Sequence, residues 1–323
     1  MIEIVSQSVA MQEAVDLAER VAATDANVLV TGESGAGKDA LALYIHSRSS
    51  RASESFVKID CATLPGELLE AELFGYERGA FTSATEAKPG RLEAAHKGTL
   101  VLDEIAYLSN DSQAKLLRVI ETREFERLGG RQTIKVDARL LALTNVDLTQ
   151  AVARRSFRED LFYRLNVVHI HVPPLRDRIA DLPHLTNALV GMYSRKHGSE
   201  LNTVAPDVVS LLSEYDFPGN VRELANTIER AVIFATGKRI EVGDLPVALR
   251  AAVAAKRQRQ QPPSLAEVEA EYLQQTLLNT GGNKTAAARI LGISRKNLYE
   301  RLERLGKMAE GAESGRNGNE GTG

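Results

Sequence analysis

Along the first 172 residues, short apolar runs recur between stretches whose apolar positions repeat at helical spacing. The runs fall at 28–31, 56–59, 99–102, 139–144 and 167–172. Each is too short for a helix and rich in branched side chains, so each predicts a strand. Strands alternating with helices predict an α/β domain with a mainly parallel sheet over residues 1–172. Pro173-Pro174 stops the last strand, because neither ring can donate a ladder hydrogen bond. Residues 173–249 carry helical patterns broken by Pro206, Pro218-Gly219 and Pro246, which predicts a smaller helical domain. Residues 250–264 are Ala, Lys, Arg, Gln and Pro with one Val and one Ser, a linker composition. A compact helical unit is expected over 265–307, and the Gly-, Glu- and Asn-rich tail 308–323 reads as disordered.

Composition narrows the class. The 323 residues are enough for two or three domains, and 26% charged with 43% hydrophobic residues is the balance of an ordinary globular protein. No stretch approaches the ~18 continuous apolar residues of a membrane span, and no basic-then-apolar signal opens the chain. The lone cysteine, Cys61, rules out an intrachain disulfide framework, so a cytoplasmic location is expected. A net charge of −3 argues against indiscriminate nucleic-acid binding. Yet residues 284–307 hold Lys284, Arg289, Arg295, Lys296, Arg301, Arg304 and Lys307 against only Glu300 and Glu303. A basic module on an acidic body suggests a dedicated nucleic-acid reader.

The first candidate chemistry follows the 28–31 strand. Gly32-Glu33-Ser34-Gly35-Ala36-Gly37-Lys38-Asp39 has the P-loop spacing, whose glycines let main-chain N–H groups curl around phosphate oxygens. Lys38 adds a point charge for the β- and γ-phosphates of ATP. Asp39 stands where many P-loops place the Ser or Thr that touches Mg²⁺, so metal holding falls more heavily on Asp103, directly or through water. Asp103-Glu104 ends the 99–102 run, at the strand end where ligands gather in open α/β sheets. Asp103 is the expected Mg²⁺ partner and Glu104 the expected base that orients the attacking water. Thr144-Asn145 closes another strand. Asn145 is either a turn residue or a sensor of the γ-phosphate and its water. Between these motifs lies the short apolar segment Gly79-Ala80-Phe81-Thr82-Ser83-Ala84, an inserted hairpin suited to delivering ATP energy through a protruding loop.

Two further segments leave alternatives open. Arg158 and Arg164, in Phe157–Leu165, are six residues apart, about 240° on a helix, so they cannot share one helical face. They are either surface arginines paired with Glu159 and Asp160 or arginine fingers for phosphoryl transfer. Residues 283–299 read either as a helix–turn–helix or as a small bundle with a basic surface. Ala288 is small where two helices would cross, Gly292 permits the turn, and Ser294 is a natural N-cap. Leu298, Leu302 and Leu305 would form the buried stripe. Ser294, Arg295, Lys296, Asn297, Tyr299 and Arg301 are the expected DNA-facing residues of the second helix.

Together these segments resemble the bacterial enhancer-binding proteins, the AAA+ ATPases that activate σ54-dependent transcription, from about Ile4 to Gly306. That family reads Gly-Ala-Phe-Thr-Gly-Ala where this chain has Gly79–Ala84, and here too Glu72-Leu73-Phe74-Gly75 precedes it. The resemblance implies that the hexapeptide touches σ54 of the RNA polymerase holoenzyme. It implies that Arg158 and Arg164 act in trans, that the active form is a ring, typically a hexamer, and that Arg222 in Pro218–Leu224 reads the nucleotide from its own subunit. It also implies a Fis-type helix–turn–helix that binds enhancer DNA as a pair. ATP and Mg²⁺ are the implied cofactors.

Two departures bear on mechanism. Ser83 replaces the second glycine of the loop, at a cost of about 1–2 kcal/mol if that position needs positive φ. Asp60 stands where many relatives carry an Asn thought to restrain the catalytic Glu, and is expected to act as a switch that restrains Glu104 through a shared proton or a water. Relatives often carry a receiver or ligand-sensing domain before the ATPase, and here the ATPase pattern starts almost at the first residue. Regulation is then expected from a separate partner, from expression level or from a portion outside this chain. Two alternatives to the activator are a DNA-binding regulator that kept the ATPase scaffold without engaging σ54, and a remodeller of other proteins.

Overall fold

Val28, Leu29 and Val30 are buried on both sides, and their branched side chains favour the extended backbone they adopt. They form β1 (Val28–Thr31), joined by β2 (Phe56–Asp60), β3 (Thr99–Asp103), β4 (Arg139–Thr144) and β5 (Val168–His171). The order across the sheet is β2-β3-β4-β1-β5 and every pairing is parallel. In this computed structural model the described residues are 4–82, 84–201, 203–260 and 265–302. Ser83, Leu305, Pro262-Pro263 and the tail 308–323, all singled out in the sequence, lie outside them.

The two-residue period of the strands sorts their side chains to two cores. Val28, Val30, Val101, Leu141 and Leu143 pack with α1 (Val9–Ala22) and α2 (Lys38–Ser47). Leu29, Leu100, Leu102, Leu140 and Ala142 join the opposite core with α3 (Gly66–Phe74), α4 (Asn110–Thr122), α5 (Leu148–Ala153) and α6 (Glu159–Leu165). Buried Arg139 donates to the carbonyls of Val21 and Ala22 at 2.8 and 3.1 Å, satisfying buried carbonyls that the last turn of α1 leaves without helical partners. Register aligns the strand ends: Asp60 stands opposite Asp103, and Thr31 opposite Thr144.

After Pro173-Pro174, two short 3-10 turns lead into α7 (Leu182–His197), α8 (Pro206–Glu214) and α9 (Asn220–Phe234). Their core is Leu182, Val190, Leu212, Phe217, Leu224 and Ile228. Where a linker was expected from residue 250, the chain continues as α10 (Val247–Gln260). Ala, Lys, Arg and Gln are strong helix formers, so the same composition that reads as linker also sustains a helix. By contacts the chain divides into residues 1–253 and 254–323. The first of these holds both the α/β part and the helical part.

In the second unit, α11 (Leu265–Asn279) and α12 (Lys284–Ile290) precede a helix over 295–302. Leu273, Ala287, Ala288 and Leu298 are its buried core, with Leu302 packed against them. Asn283 Oδ1 accepts from the N–H groups of Thr285 and Ala286, capping α12. Among the described residues, no helix is long and apolar enough to cross a membrane.

Candidate functional site: nucleotide cleft, protruding loop and helix–turn–helix

The segment between β1 and α2 is held in a conformation that only its glycines allow. Gly35 has φ +75°, and a Cβ there would lie 2.4 Å from the Gly219 carbonyl oxygen, so the loop and the start of α9 meet without room for a side chain. Gly37, at φ +110°, starts α2. Lys38 is buried, and its ammonium donates to the carbonyls of Gly32 and Glu33 at 2.8 and 3.2 Å and lies 4.0 Å from Glu104 Oε1. Burial lowers its pKa from the ordinary lysine value, while Glu104, Asp103 and Asp39 resist that shift.

A cleft of about 260 Å³ opens here, and Ser34, Gly35, Gly37, Lys38, Asp39, Asp103, Glu104 and Arg222 are among its walls. Asp103 Oδ1 accepts from the N–H of Glu104 at 3.0 Å. Glu104 itself has φ +52°, a left-handed conformation that costs a non-glycine residue free energy. Its Oε2 accepts from the main-chain N–H of Asn145 at 3.2 Å. Asp60 Oδ1 accepts from the N–H of Ala62 at 2.9 Å in the turn after β2, and the hydrogen bond to Glu104 comes from Asn145.

Sequence reasoning missed Lys58. Its ammonium lies 2.5 Å from Asp39 Oδ1 and 2.7 Å from Asp103 Oδ2, bridging the last P-loop residue and the carboxylate expected to hold the metal. Partial burial works against its charge, but the hydrogen bonds it donates to Asp103 and Asp39 hold its pKa above the ordinary lysine value.

Asn220 was also passed over as a single residue. It is fully buried at φ +52°, donates to Glu33 Oε2 at 3.0 Å and to the Ser34 carbonyl at 3.1 Å, and accepts from Leu175 N–H at 2.8 Å. Arg222 donates to Ser34 Oγ at 2.9 Å, and Arg176 pairs with both oxygens of Glu33. Hydrogen bonds from Arg176 and then Asn220 bring the Glu33 carboxyl down to about 2.

The hairpin between α3 and β3 has a two-stranded base, Gly75–Tyr76 against Lys88–Pro89. Its tip is exposed at Phe81 and Thr82, and the Phe81 ring meets Tyr76 edge-on at 4.9 Å. A second hairpin, Glu124–Glu126 with Thr133–Lys135, braces it. Main-chain bonds run from Glu77 N–H to Leu128 O and from Leu128 N–H to Gly75 O. Arg127 reaches Glu77 at 3.0 Å and Glu93 at 2.7 Å. This bracing rests on contacts 50 residues apart in sequence, for which the chain carries no local signal.

Three families cover the chain: the sigma-54 interaction domain over residues 4–171, the AAA+ ATPase lid domain over 176–262, and the Fis family of bacterial regulatory proteins over 264–305. The chain belongs to the σ54-dependent transcriptional regulators. It is 44% identical over 311 residues to the regulatory protein AtoC of Escherichia coli (strain K12), covering 94% of this chain and 68% of that one. It is 45% identical over 300 residues to the transcriptional regulatory protein ZraR of the same organism, covering 93% and 68%. NtrX from Brucella abortus, solved in complex with ATP, superposes with a TM-score of 0.73 at 35% identity over 94% of this chain and 70% of that one. The P-loop domain is therefore that of an AAA+ ATPase.

The remaining expected site residues fall outside the cleft. Arg158 precedes α6 as its N-cap residue, with extended backbone, so a rotation counted along a helix does not relate it to Arg164. It pairs with both oxygens of Asp160, and Arg164 pairs with Glu121 at 3.1 Å. Both arginines are exposed, and neither is among the residues lining the cleft. A wider cleft of about 470 Å³ lies beside the P-loop, where Thr31 Oγ1 sits 2.8 Å from His169 Nε2 and 3.2 Å from His171 Nδ1.

In the C-terminal unit, Arg295, Lys296 and Asn297 are exposed at the start of the last helix. Ser294 Oγ accepts from Asn297 N–H at 3.1 Å and is spent as the N-cap. Tyr299 carries the Lys284 ammonium over its ring at 4.7 Å. Arg301 pairs with Glu269 within the unit.

Proposed function

We propose that this protein binds enhancer DNA and uses ATP hydrolysis to convert closed σ54–RNA polymerase complexes into open ones. The observation that carries this reading is the route from the cleft to the hairpin. Asp60 ends β2 beside Asp103 of β3, and α3, which follows β2, runs without a break into Gly75–Tyr76 at the hairpin base. A shift at the acidic strand end is thereby one helix away from the exposed Phe81 and Thr82.

In this reading the P-loop N–H groups and Lys38 hold the phosphates of ATP, and Arg222 approaches them from the helical lid. Glu104 accepts a proton from, and orients, the attacking water, with Asn145 fixing its carboxylate. Asp103 and Asp39 suit a hard divalent cation: they are two carboxylates already gathered about one positive charge, that of Lys58. Mg²⁺ held there would neutralise charge on the phosphate oxygens. The exposed Arg158 and Arg164 complete a neighbouring subunit's site, which requires a ring, with a hexamer the expected form. Such groups accelerate phosphoryl transfer by roughly 10³–10⁵. Arg295, Lys296 and Asn297 face the major groove of DNA, in the cytoplasm.

Transcription in vitro from a supercoiled template with a σ54 promoter and an upstream binding site tests the proposal. Open complexes should form with ATP and not with a non-hydrolysable analogue. Open complexes formed equally with the analogue would overturn the coupling to hydrolysis.

A further inference from the structure

Lys58 lies in the middle of β2, yet its side chain leaves the sheet to stand between two acidic groups from different elements, Asp39 in the first turn of α2 and Asp103 at the end of β3. The two oxygens it touches, Asp39 Oδ1 and Asp103 Oδ2, are both within 2.7 Å of one nitrogen. Carboxylates brought this close repel one another unless a cation lies between them. The other Asp103 oxygen is engaged by the Glu104 N–H. Oδ2 is therefore the oxygen that either cation, ammonium or metal, would take. A magnesium ion takes carboxylate oxygens at about 2.0–2.1 Å, so a metal on Oδ2 would lie close enough to the ammonium for the two positive charges to repel one another.

We propose that Lys58 is an internal counter-cation for Asp39 and Asp103 that gives way when metal and nucleotide bind, and so sets the Mg²⁺ concentration the site requires. The inference rests on the reading that these two carboxylates hold the metal. Before binding, Lys58 keeps the carboxylates converged. On binding, its ammonium must leave at least Asp103 Oδ2, and the lost ion pairs raise the metal threshold. The flexible four-carbon stem and its partial exposure give the ammonium room to swing to solvent.

The test is a Mg²⁺ titration of fluorescent ADP-analogue binding to the full chain, for wild type, Lys58→Met and Lys58→Gln. Both variants remove the charge, and the pair guards against a folding defect in either one. The half-saturating Mg²⁺ concentration should fall by roughly fivefold in both variants, in the lower range of coupling between two bound groups. Thermal unfolding without nucleotide should occur at lower temperature than in wild type, because the two carboxylates are left unscreened. Lys58→Arg, which keeps the charge, should stay close to wild type in both readings. An unchanged or raised Mg²⁺ requirement in Lys58→Met and Lys58→Gln would overturn the counter-cation role. A wild-type protein whose nucleotide binding ignores Mg²⁺ would instead remove the metal reading of Asp39 and Asp103, and the inference with it.

Discussion

The main-chain N–H of Asn145 donates to Oε2 of Glu104 across 3.2 Å, linking the end of β4 to the acid after β3. Because the donor is backbone, the bond survives any side-chain change at Asn145 that spares the strand end. Glu104→Gln keeps the shape and the acceptor oxygen but removes the base. It should bind ATP as wild type does while hydrolysis falls by about 10²–10⁴, read by steady-state phosphate release beside equilibrium nucleotide binding. Turnover at the wild-type rate would remove Glu104 from its assigned role.

Gly129 lies against the protruding hairpin beside its tip. A Cβ there would come within 2.8 Å of Ala80 Cβ, and its φ of +72° is itself unfavourable for other residues. Gly129→Val should displace Ala80 and the adjoining Phe81 while leaving the cleft intact. The expected result is near-normal ATP hydrolysis with weakened capture of σ54, measured by co-sedimentation. Equal loss of both would mean that the second hairpin supports the whole subdomain.

Asn220 joins the P-loop to the lid from a buried position. Asn220→Ala leaves the Leu175 N–H without its acceptor, at a cost of about 1–3 kcal/mol, and releases Glu33 and the Ser34 carbonyl. Thermal unfolding should show a lower Tm, and nucleotide should restore less of it than in wild type. An unaltered Tm would show that water replaces the lost acceptor.

Glu33 gives this linkage a defined pH dependence. Its carboxyl lies at about 2 rather than the ordinary 4.5, chiefly through Arg176 and then Asn220. An acid held low in the folded state contributes stability in full above its ordinary pKa, and that contribution is lost as pH falls through the folded value. The Tm loss caused by Glu33→Gln should thus be constant between about pH 6 and pH 8 and smaller near pH 4. A loss that grows on acidification would contradict the assigned pairing.

What the sequence made legible was whatever is encoded locally. The β1 and β4 runs are apolar at nearly every position because both faces of the sheet are covered, and their ends were readable to the residue. The P-loop glycines were legible by spacing, since each is required by the local backbone. Lys58 was not: one lysine in a strand carries no sign that two carboxylates from other elements converge on it. Arg127 and Gly129 act on a hairpin 50 residues away, and Asn220 matters through a left-handed backbone that no neighbour announces. Arg158 was misplaced onto a helix because N-cap residues share the composition of the turn they precede. Residues 250–260 were read as linker because helix-forming polar residues without an apolar stripe look alike in either state.

The central claim is that the hairpin tip engages σ54 when the cleft is in its hydrolytic state. The most direct measurement is capture of purified σ54 by the full chain with ADP and aluminium fluoride, a transition-state mimic, for wild type and Thr82→Ala. Wild type should form a stable complex, and Thr82→Ala, whose exposed side chain lies away from the cleft, should lose it while hydrolysing ATP normally. No complex from a wild-type protein that shows Mg²⁺-dependent ATP hydrolysis would contradict the account.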